Sequence, residues 1–298
     1  MYIYLFYIIC ESLVSLTLTC FVACAYAYTY RIERIGPLSF LLAAHVRLKM
    51  SDRVLEVHFL PELTTEKALE NSIVVIIDIL RASTTITYAL AAGAKCIYPF
   101  LTINEVVSWK KENIDTFTEG IILGGERGGK IIEGFDLGNS PSVYTEDEVR
   151  GKVIGFTTSN GTKAMQSAVH AKRVLIGCFS NISAVLDDLN KERAPIHLLC
   201  AGTNGVVTRE DVLFAGKVVH SLANSDSNFC LNDEAIMASA VYAQTLVKQT
   251  TLDSELRNTL GGRGLTKLGY EDDIELVSKE DVFSILPTLD TKTWSIRR

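Results

Sequence analysis

The sequence predicts an α/β fold, with largely parallel or mixed sheets that carry helices on both faces in α/β/α layers. The run at 73–77 consists only of Ile and Val, which is typical of a strand buried on both faces. Similar short apolar runs recur along the chain, and helical patterns lie between them. This βαβ rhythm predicts parallel strands joined by crossover helices.

The predicted elements follow one another in a regular order. Strands are predicted at 73–77, 95–100, 121–123, 153–157, 174–178 and 196–200. Helices are predicted at 84–92, 162–170 and 182–189, and Gly93 stands where the first of them would end. The last third is more helical, with helices predicted at 211–222 and 233–248.

The length and composition limit the domain organisation. A chain of 298 residues with 48% hydrophobic residues can form one large α/β domain or two smaller ones. We predict two α/β subdomains, at 50–175 and 176–298, with the functional site in the cleft between them. The length and rhythm of the pattern, not a change in composition, suggest this boundary.

The charge and the cysteines exclude several classes of function. The net charge is −6 and no run of Lys or Arg follows a phosphate backbone, so nucleic acid is not expected as a partner. The seven cysteines include no CxxC pair, which argues against a disulfide scaffold or a zinc framework. The five histidines form no HxH or HExxH pattern, which argues against a zinc hydrolase.

Residues 1–49 form an apolar extension. The segment 2–30 is long enough to span a bilayer, and the basic residues that follow it would leave the rest of the chain in the cytoplasm. Alternatively, Met50 is the true start and the extension is not translated. Both interpretations place the globular part in the cytoplasm, and a membrane is a partner only under the first.

Candidate functional residues lie where the predicted strands end, because ligands of open α/β sheets bind at the carboxyl ends of strands. Asp78 ends the first buried strand, and a carboxylate there is costly to bury unless it binds a cation or a donor. We therefore predict that Asp78 is a Mg²⁺ ligand or a nucleophile and that Arg81 binds an anion. The alternative is an Asp78–Arg81 ion pair that holds the loop.

A glycine-rich loop at 124–138 is the second candidate. Glycine allows backbone N–H groups to approach a ligand closely, and Arg127 and Lys130 add positive charge. Glu126 could hold a metal or orient an arginine. A flexible surface loop is the alternative interpretation.

Two Thr/Asn/Gly loops complete the set. Ser159, Asn160 and Gly161 join a strand to a helix N-terminus, an arrangement that favours anions, although no GxxxxGK[ST] motif is present.

The second of these loops contains Thr203, Asn204 and Gly205 and precedes a predicted helix. Glu210 and Asp211 open this helix as candidate metal ligands or as simple caps. Arg263, in a Gly-Gly-Arg-Gly segment, could bring a further positive charge or belong to a surface turn.

Several phosphatase chemistries are excluded by residue pattern. Cys200 is followed by Val206 where a C-x₅-R enzyme needs arginine, and Leu80 stands where a D-x-D phosphatase needs its second acid. No Arg-His-Gly start, no G-x-S-x-G elbow and no G-x-G-x-x-G fingerprint occur. Metal-assisted hydrolysis of a phosphate ester is the chemistry that remains.

The loops together resemble the 2-phosphosulfolactate phosphatase (ComB-type) family over about residues 54–287. The resemblance rests on five strings and on the segments around Arg263 and Tyr270; the strings are VIIDILRASTT at 75–85, GERGGK at 125–130, GFDLGNSP at 134–141, TTSNGT at 157–162 and CAGTNG at 200–205. Ser159 stands where the family pattern leads us to expect Thr.

The resemblance implies a Mg²⁺-dependent enzyme with a layered α/β fold. It would convert 2-phospho-3-sulfolactate and water to 3-sulfolactate and phosphate, a step in coenzyme M biosynthesis. Another phosphorylated 2-hydroxy acid remains open as the substrate, and a second copy of the chain remains open as a partner. Two rival functions are a membrane-tethered anion-binding protein without turnover and a phosphotransferase that uses the same loops.

Overall fold

The described strands form a single mixed sheet. The computed structural model describes residues 53–225 and 228–298, and within them the strand order is β5-β4-β6-β3-β11-β10-β7-β2-β8-β1-β9. The strands are β1 Arg53–His58, β2 Ile73–Ile77, β3 Cys96–Phe100, β4 Ile121–Arg127, β5 Lys130–Ile131, β6 Val153–Thr157, β7 Arg173–Gly177, β8 Ile196–Cys200, β9 Phe229–Leu231, β10 Thr288–Asp290 and β11 Ser295–Arg297.

Ten α-helices accompany this sheet in the described part of the chain. They are α1 Ala82–Ala91, α2 Ile103–Asn113, α3 Glu146–Val149, α4 Gly161–Ser167, α5 Ile182–Lys191, α6 Arg209–Ser225, α7 Asp233–Lys248, α8 Leu252–Arg257, α9 Leu260–Leu268 and α10 Glu271–Val277. Short 3-10 turns at Pro61–Leu63, Pro141–Val143 and Phe179–Asn181 complete the connections.

The sheet consists of two parallel groups joined by the C-terminal hairpin. Strands β4, β6 and β3 run parallel to one another, and so do β7, β2, β8, β1 and β9. The hairpin β10–β11 lies between the groups and pairs antiparallel with β7 on one side and β3 on the other. The end of the chain therefore closes the middle of the sheet.

The central apolar core is shared by both parallel groups. Ile76 and Val174 of one group pack in the same core as Ile97 and Ile154 of the other. Helices α1 and α4 contribute to this core, and eight of the ten residues of α1 are buried. Because nearly all of α1 is buried, this helix lies inside the protein and not on its surface. The second group packs its other face against α5, α6 and α7, and the first group packs against α2.

The predicted fold class is confirmed, since the structure is a mixed sheet with helices layered on both faces. The predicted limits of 73–77, 153–157, 196–200 and 233–248 agree with β2, β6, β8 and α7. The strand predicted at 121–123 continues to Arg127, so part of the predicted glycine-rich loop is strand. A Cβ at Gly125 would lie 2.0 Å from the carbonyl oxygen of Thr157, which explains how β4 and β6 pair so closely there.

The predicted division into subdomains 50–175 and 176–298 remains a prediction. Its boundary falls within β7, and strands from both sides of it are hydrogen-bonded in one sheet. Residues 52–298 form one compact unit.

The predictions for residues 1–49, a membrane anchor or an untranslated extension, lie outside the described residues. Within residues 53–225 and 228–298, no helix combines the length and the apolar character needed to cross a membrane.

Candidate active site

Asp78 lies directly after β2, in the loop that leads to α1. Its Oδ1 accepts a hydrogen bond from the backbone N–H of Ala82 (3.1 Å), and its own backbone N–H donates to Oγ of Ser83 (2.9 Å). Only 8% of the residue is exposed. Its Oδ2 faces Gly161, where a Cβ would come within 2.8 Å of that oxygen. The ends of β2 and β6 therefore meet at this carboxylate.

Asp211, in the first turn of α6, connects two of the predicted loops. One carboxylate oxygen accepts from the backbone N–H of Ile79 (2.8 Å), and the other accepts from the N–H of Gly202 (3.0 Å) and the hydroxyl of Thr208 (3.3 Å). Both carboxylate oxygens of Asp211 thus accept hydrogen bonds from other parts of the protein. Asp211 was predicted as a metal ligand, and in this structure its contacts fix the loops after β2 and β8.

Glu210 has a free oxygen inside the protein. The residue is 2% exposed, and its Oε2 is buried without a hydrogen-bond partner. Its other oxygen faces the start of α9, where a Cβ at Gly261 would lie only 2.1 Å from it. A buried carboxylate oxygen without a partner is costly, so this atom is a ready ligand for a cation.

The electrostatics of the three acids agree with a need for positive charge. The pKa of Asp78 is raised to about 7, chiefly by burial and also by the charges of Glu126 and Glu210, while the N–H groups of Ala82 and Gly161 act in the opposite direction. Burial also raises the pKa of Glu210, and burial together with the charges of Asp78 and Glu210 raises that of Asp211. Like charges this close cannot all ionise cheaply, so a divalent cation would relieve the repulsion.

Glu126, near the end of β4, organises the backbone of two loops. Its Oε1 accepts from the N–H of Ser159 (2.8 Å), and its Oε2 accepts from the N–H of Gly129 (2.7 Å). The side chain is buried. Glu126 therefore joins the glycine-rich loop to the loop after β6, and through its charge it also acts on Asp78.

The two Thr/Asn/Gly loops contact each other. The side-chain oxygen of Asn160 accepts a hydrogen bond from the N–H of Asn204 (2.9 Å). Thr203 and Val206 exchange backbone hydrogen bonds, and Asn204 and Gly205 between them both have positive φ, as in the tight turns that favour Asn-Gly. The two predicted substrate-binding loops are thus neighbours, and Gly161 of the first loop lies beside Asp78.

Arg81 is held by protein groups. Its guanidinium donates to Asp273 (2.6 Å) and to the carbonyl of Gly129 (2.7 Å), and it lies over the ring of Tyr270. Only 3% of the residue is exposed. The sequence left open an ion pair between Arg81 and Asp78, but the carboxylate that pairs with Arg81 belongs to Asp273. Arg81 connects α10 to the glycine-rich loop.

The other positively charged residues predicted for the site differ in their exposure and in their hydrogen bonds to the protein. Arg127 donates to the carbonyls of Glu126 and Leu101 and to the hydroxyl of Thr157. Lys130 lies opposite Arg127 on the β4–β5 hairpin and is exposed. Arg263 is exposed on α9, where it donates to the carbonyl of Asn258 (2.5 Å) and its charge acts on Glu210.

The residues present fit a magnesium ion. Carboxylate oxygens are the ligands that Mg²⁺ prefers, and Asp78 and Glu210 offer them more readily than Asp211. Among the described residues, these acids do not bring three ligand atoms within 4.8 Å of one another. Mg²⁺ usually keeps several waters and binds one or two carboxylates together with substrate oxygens.

Sequence reasoning missed several residues that build the site. Asp273 holds Arg81 and also accepts from the hydroxyl of Ser140 (2.5 Å), and Tyr270 covers the guanidinium. Gly261 leaves the space that Glu210 occupies. Only the family resemblance of the segment around Tyr270 and Asp273 indicated this region.

Comparison with known proteins gives a consistent result. A family model described as 2-phosphosulpholactate phosphatase matches residues 58–292. A probable 2-phosphosulfolactate phosphatase from Thermotoga petrophila is 37% identical over 215 residues, which cover 72% of this chain and 88% of the relative.

Two further relatives carry the same description. The one from Caldanaerobacter subterraneus is 37% identical over 225 residues, 75% of this chain and 90% of the relative. The one from Clostridium acetobutylicum is 33% identical over 222 residues, 74% of this chain and 91% of the relative. The aligned parts thus contain most of each relative.

Proposed function

This chain belongs to the 2-phosphosulfolactate phosphatase family, and we propose on this premise that it is a Mg²⁺-dependent phosphoric monoester hydrolase. The proposed substrate is 2-phospho-3-sulfolactate or a related phosphorylated 2-hydroxy acid, and the products are sulfolactate and phosphate. With the first substrate, the reaction is a step of coenzyme M biosynthesis. We place the catalytic part of the chain in the cytoplasm.

The proposed dependence on Mg²⁺ is based on one structural observation. The buried, unpartnered Oε2 of Glu210 lies among acids that act on Asp78, and Asp78 has a pKa raised to about 7. Such a group of carboxylates is unfavourable by itself and becomes favourable around a cation. When bound, Mg²⁺ would neutralise phosphate oxygens and make the attacking water more acidic.

The chain's own residues have separable roles in this proposal. Asp78 and Glu210 would hold the cation, while Asp211 and Glu126 hold the surrounding loops by accepting hydrogen bonds from backbone N–H groups. An Asp78 nucleophile is the alternative role for that residue. In either role, the carboxylate must be ionised to act.

The substrate would carry phosphate, carboxylate and sulfonate groups, so it needs positive charge outside the metal. Arg81 and Arg127 already donate to protein groups. Lys130 and Arg263 are exposed and are the better candidates to bind the acidic part of the substrate. Loops 159–161 and 203–205 would surround the phosphoryl group with backbone donors.

Phosphate release from full-length protein tests the proposal. The protein is stripped with EDTA and assayed with phosphosulfolactate and other phosphorylated 2-hydroxy acids, with and without Mg²⁺. We expect release only with Mg²⁺, and loss of release in Asp78→Asn and Glu210→Gln. Glu148→Gln, a change of the same type at an exposed position on α3, is the matched control and should remain active.

The rival functions make different predictions in the same assay. An anion-binding protein without turnover would bind phosphate or sulfonate and release nothing from any ester. A phosphotransferase would need a nucleotide, and phosphate would move to an acceptor instead of water. Undiminished turnover in EDTA would overturn the metal role.

A further inference from the structure

A second polar cluster lies apart from the acids around Asp78, on strands β1 and β8. Glu56 and His58 are two residues apart on β1, so their side chains lie on the same face of the sheet. His197 of β8 is in register with Glu56 in the parallel pair. The register therefore brings all three side chains to one place on that face.

The three ligand atoms are spaced as a metal would space them. Nε2 of His58 lies 2.9 Å from Nδ1 of His197, and Oε2 of Glu56 lies 3.8 and 3.5 Å from these nitrogens. Three atoms at these separations share a point about 2.0 Å from each of them, and Zn²⁺ binds His nitrogens at about 2.0–2.1 Å and carboxylate oxygens at about 2.0–2.2 Å.

The two imidazoles face each other through their nitrogens. Their rings are nearly parallel (11°) with centroids 5.2 Å apart. Since the nitrogens are 2.9 Å apart, they lie close to the line between the centroids, and the rings meet edge to edge. One hydrogen is shared along this line. For an ion to bind at the point between the three atoms, both rings must tilt toward Glu56 and that hydrogen must move to the other nitrogen of its ring.

Burial keeps the cluster ready for a cation. His58 and His197 are almost fully buried, and the pKa of each is lowered to about 4, by burial for His197 and by burial together with the neighbouring imidazole, against the effect of Glu56, for His58. The side chain of Glu56 is 36% exposed, which leaves a path for the ion and for a water as fourth ligand.

We propose that Glu56, His58 and His197 form a transition-metal site of the zinc class that links β1 to β8. Imidazole nitrogen favours Zn²⁺, Ni²⁺ and Cu²⁺, whereas the all-oxygen set at Asp78 favours Mg²⁺. Strand β1 is flanked by β8 and by the three-residue edge strand β9, so a bound ion would secure the edge of the sheet. This site stands independently of the proposed phosphatase activity.

Metal titration of the full chain tests the site. EDTA-treated protein is titrated with Zn²⁺, and separately with Co²⁺ as a spectroscopic probe, in excess Mg²⁺. We expect one Zn²⁺ per chain, a visible Co²⁺ spectrum of four-coordinate type, and a rise of about 5–10 °C in melting temperature when Zn²⁺ is at 100 times its Kd. Failure of the chain to retain Zn²⁺ after gel filtration would overturn the proposal.

Variants separate this site from adventitious binding. His58→Gln and His197→Gln should abolish the Co²⁺ spectrum. Glu56→Gln, at a partly exposed position with less risk to folding, should weaken Zn²⁺ at least about tenfold, because losing even a group that only orients a ligand costs about 10–100-fold.

His170→Gln is the matched control. His170 is an exposed histidine beside Glu66, and its replacement should change nothing at the proposed site. Asp78→Asn should also leave Zn²⁺ binding intact. Equal binding by wild type and Glu56→Gln, or loss of binding in His170→Gln, would contradict the proposed ligands.

Discussion

Gly161 lies so close to Asp78 that a Cβ at residue 161 would sit 2.8 Å from Oδ2 of the carboxylate. It would also sit 2.9 Å from Cβ of Ala82, so the space is closed from two sides. The first helical residue after β6 is thus fitted against the acid that follows β2. This contact joins the two parallel groups of the sheet at the candidate active site.

Gly161→Ala should therefore reduce both activity and stability. The added methyl group must displace Asp78 or the start of α4, and a misplacement of about 1 Å at a reacting group can cost about 10²-fold in rate. We expect a fall in kcat of that order and a stability loss of about 1–3 kcal/mol. Steady-state kinetics and urea unfolding of the same preparation measure the two effects.

Gly264→Ala is the control for this change. Gly264 is also helical, and a Cβ there would contact nothing within 4 Å. Alanine should stabilise the helix by up to about 1 kcal/mol and leave kcat unchanged. Equal kinetics of Gly161→Ala and wild type would show that Asp78 tolerates displacement.

The free energy of unfolding should fall in Asp211→Asn and rise in Glu210→Gln, although both changes remove a carboxylate charge. Asp211→Asn sets an amide N–H₂ against a backbone N–H, because the two carboxylate oxygens each accept from a different loop. We expect a loss of about 1–3 kcal/mol. Glu210→Gln removes a buried charge beside Asp78, so in metal-free protein we expect a gain of about 1 kcal/mol.

Urea unfolding in EDTA, with both variants beside wild type, measures this difference. In Mg²⁺ the order should change, because only the variant at 210 lacks the proposed cation ligand. A destabilised Glu210→Gln in EDTA would mean that Glu210 is stabilised by protein contacts instead.

The inner strands show what local sequence can predict. The ends of β2, β6 and β8 could be predicted because each strand is buried on both faces and is therefore a continuous apolar run in the sequence. The hairpin β10–β11 gave no such signal, since each strand has three residues. Its place between β3 and β7 depends on pairing with residues far away in the sequence.

The candidate site likewise has parts that the local sequence predicts and parts that depend on distant residues. The loops after β2, β4, β6 and β8 could be predicted because each combines polar residues with the end of an apolar run. The partners could not: Arg81 pairs with Asp273, which is 192 residues away. Likewise, the search for local histidine patterns could not find His58 beside His197, which depends on the register of β1 and β8.

The raised pKa of Asp78 should be visible in stability. Its pKa is about 7 in the folded chain and about 3.9 in an unfolded one. Between these values the folded chain keeps a proton that the unfolded chain has released, so the stability contribution is full below pH 4 and is lost as pH rises toward 7. One such group changes the free energy of unfolding by at most about 1.4 kcal/mol per pH unit.

The difference between wild type and Asp78→Asn measures this effect together with its influence on Asp211, whose pKa the charge of Asp78 also raises. His58 and His197 have lowered pKa values and contribute with the opposite sign, with stability that rises as pH increases from about 4 to 6.5, but they are common to both proteins. Urea unfolding in EDTA from pH 4.5 to 7.5 should show wild type losing stability relative to the variant. A constant difference would contradict the raised pKa, and added Mg²⁺ should reduce the slope.

Asp273 should be essential for the stability of the α10 region. Its carboxylate accepts from the buried Arg81 (2.6 Å) and from Ser140 (2.5 Å), and Arg81 in turn donates to Gly129. Asp273→Asn removes the charge that compensates a buried guanidinium, and breaking a buried pair costs about 3–5 kcal/mol.

Asp272→Asn, an exposed change in the same helix, should cost less than about 0.5 kcal/mol. Urea midpoints measure both, and equal midpoints for the two variants would show that Tyr270 and Gly129 suffice to hold Arg81. If the pair does anchor the glycine-rich loop, Asp273→Asn should also raise the Mg²⁺ concentration needed for half-maximal phosphate release, because Glu126 holds that same loop at Gly129.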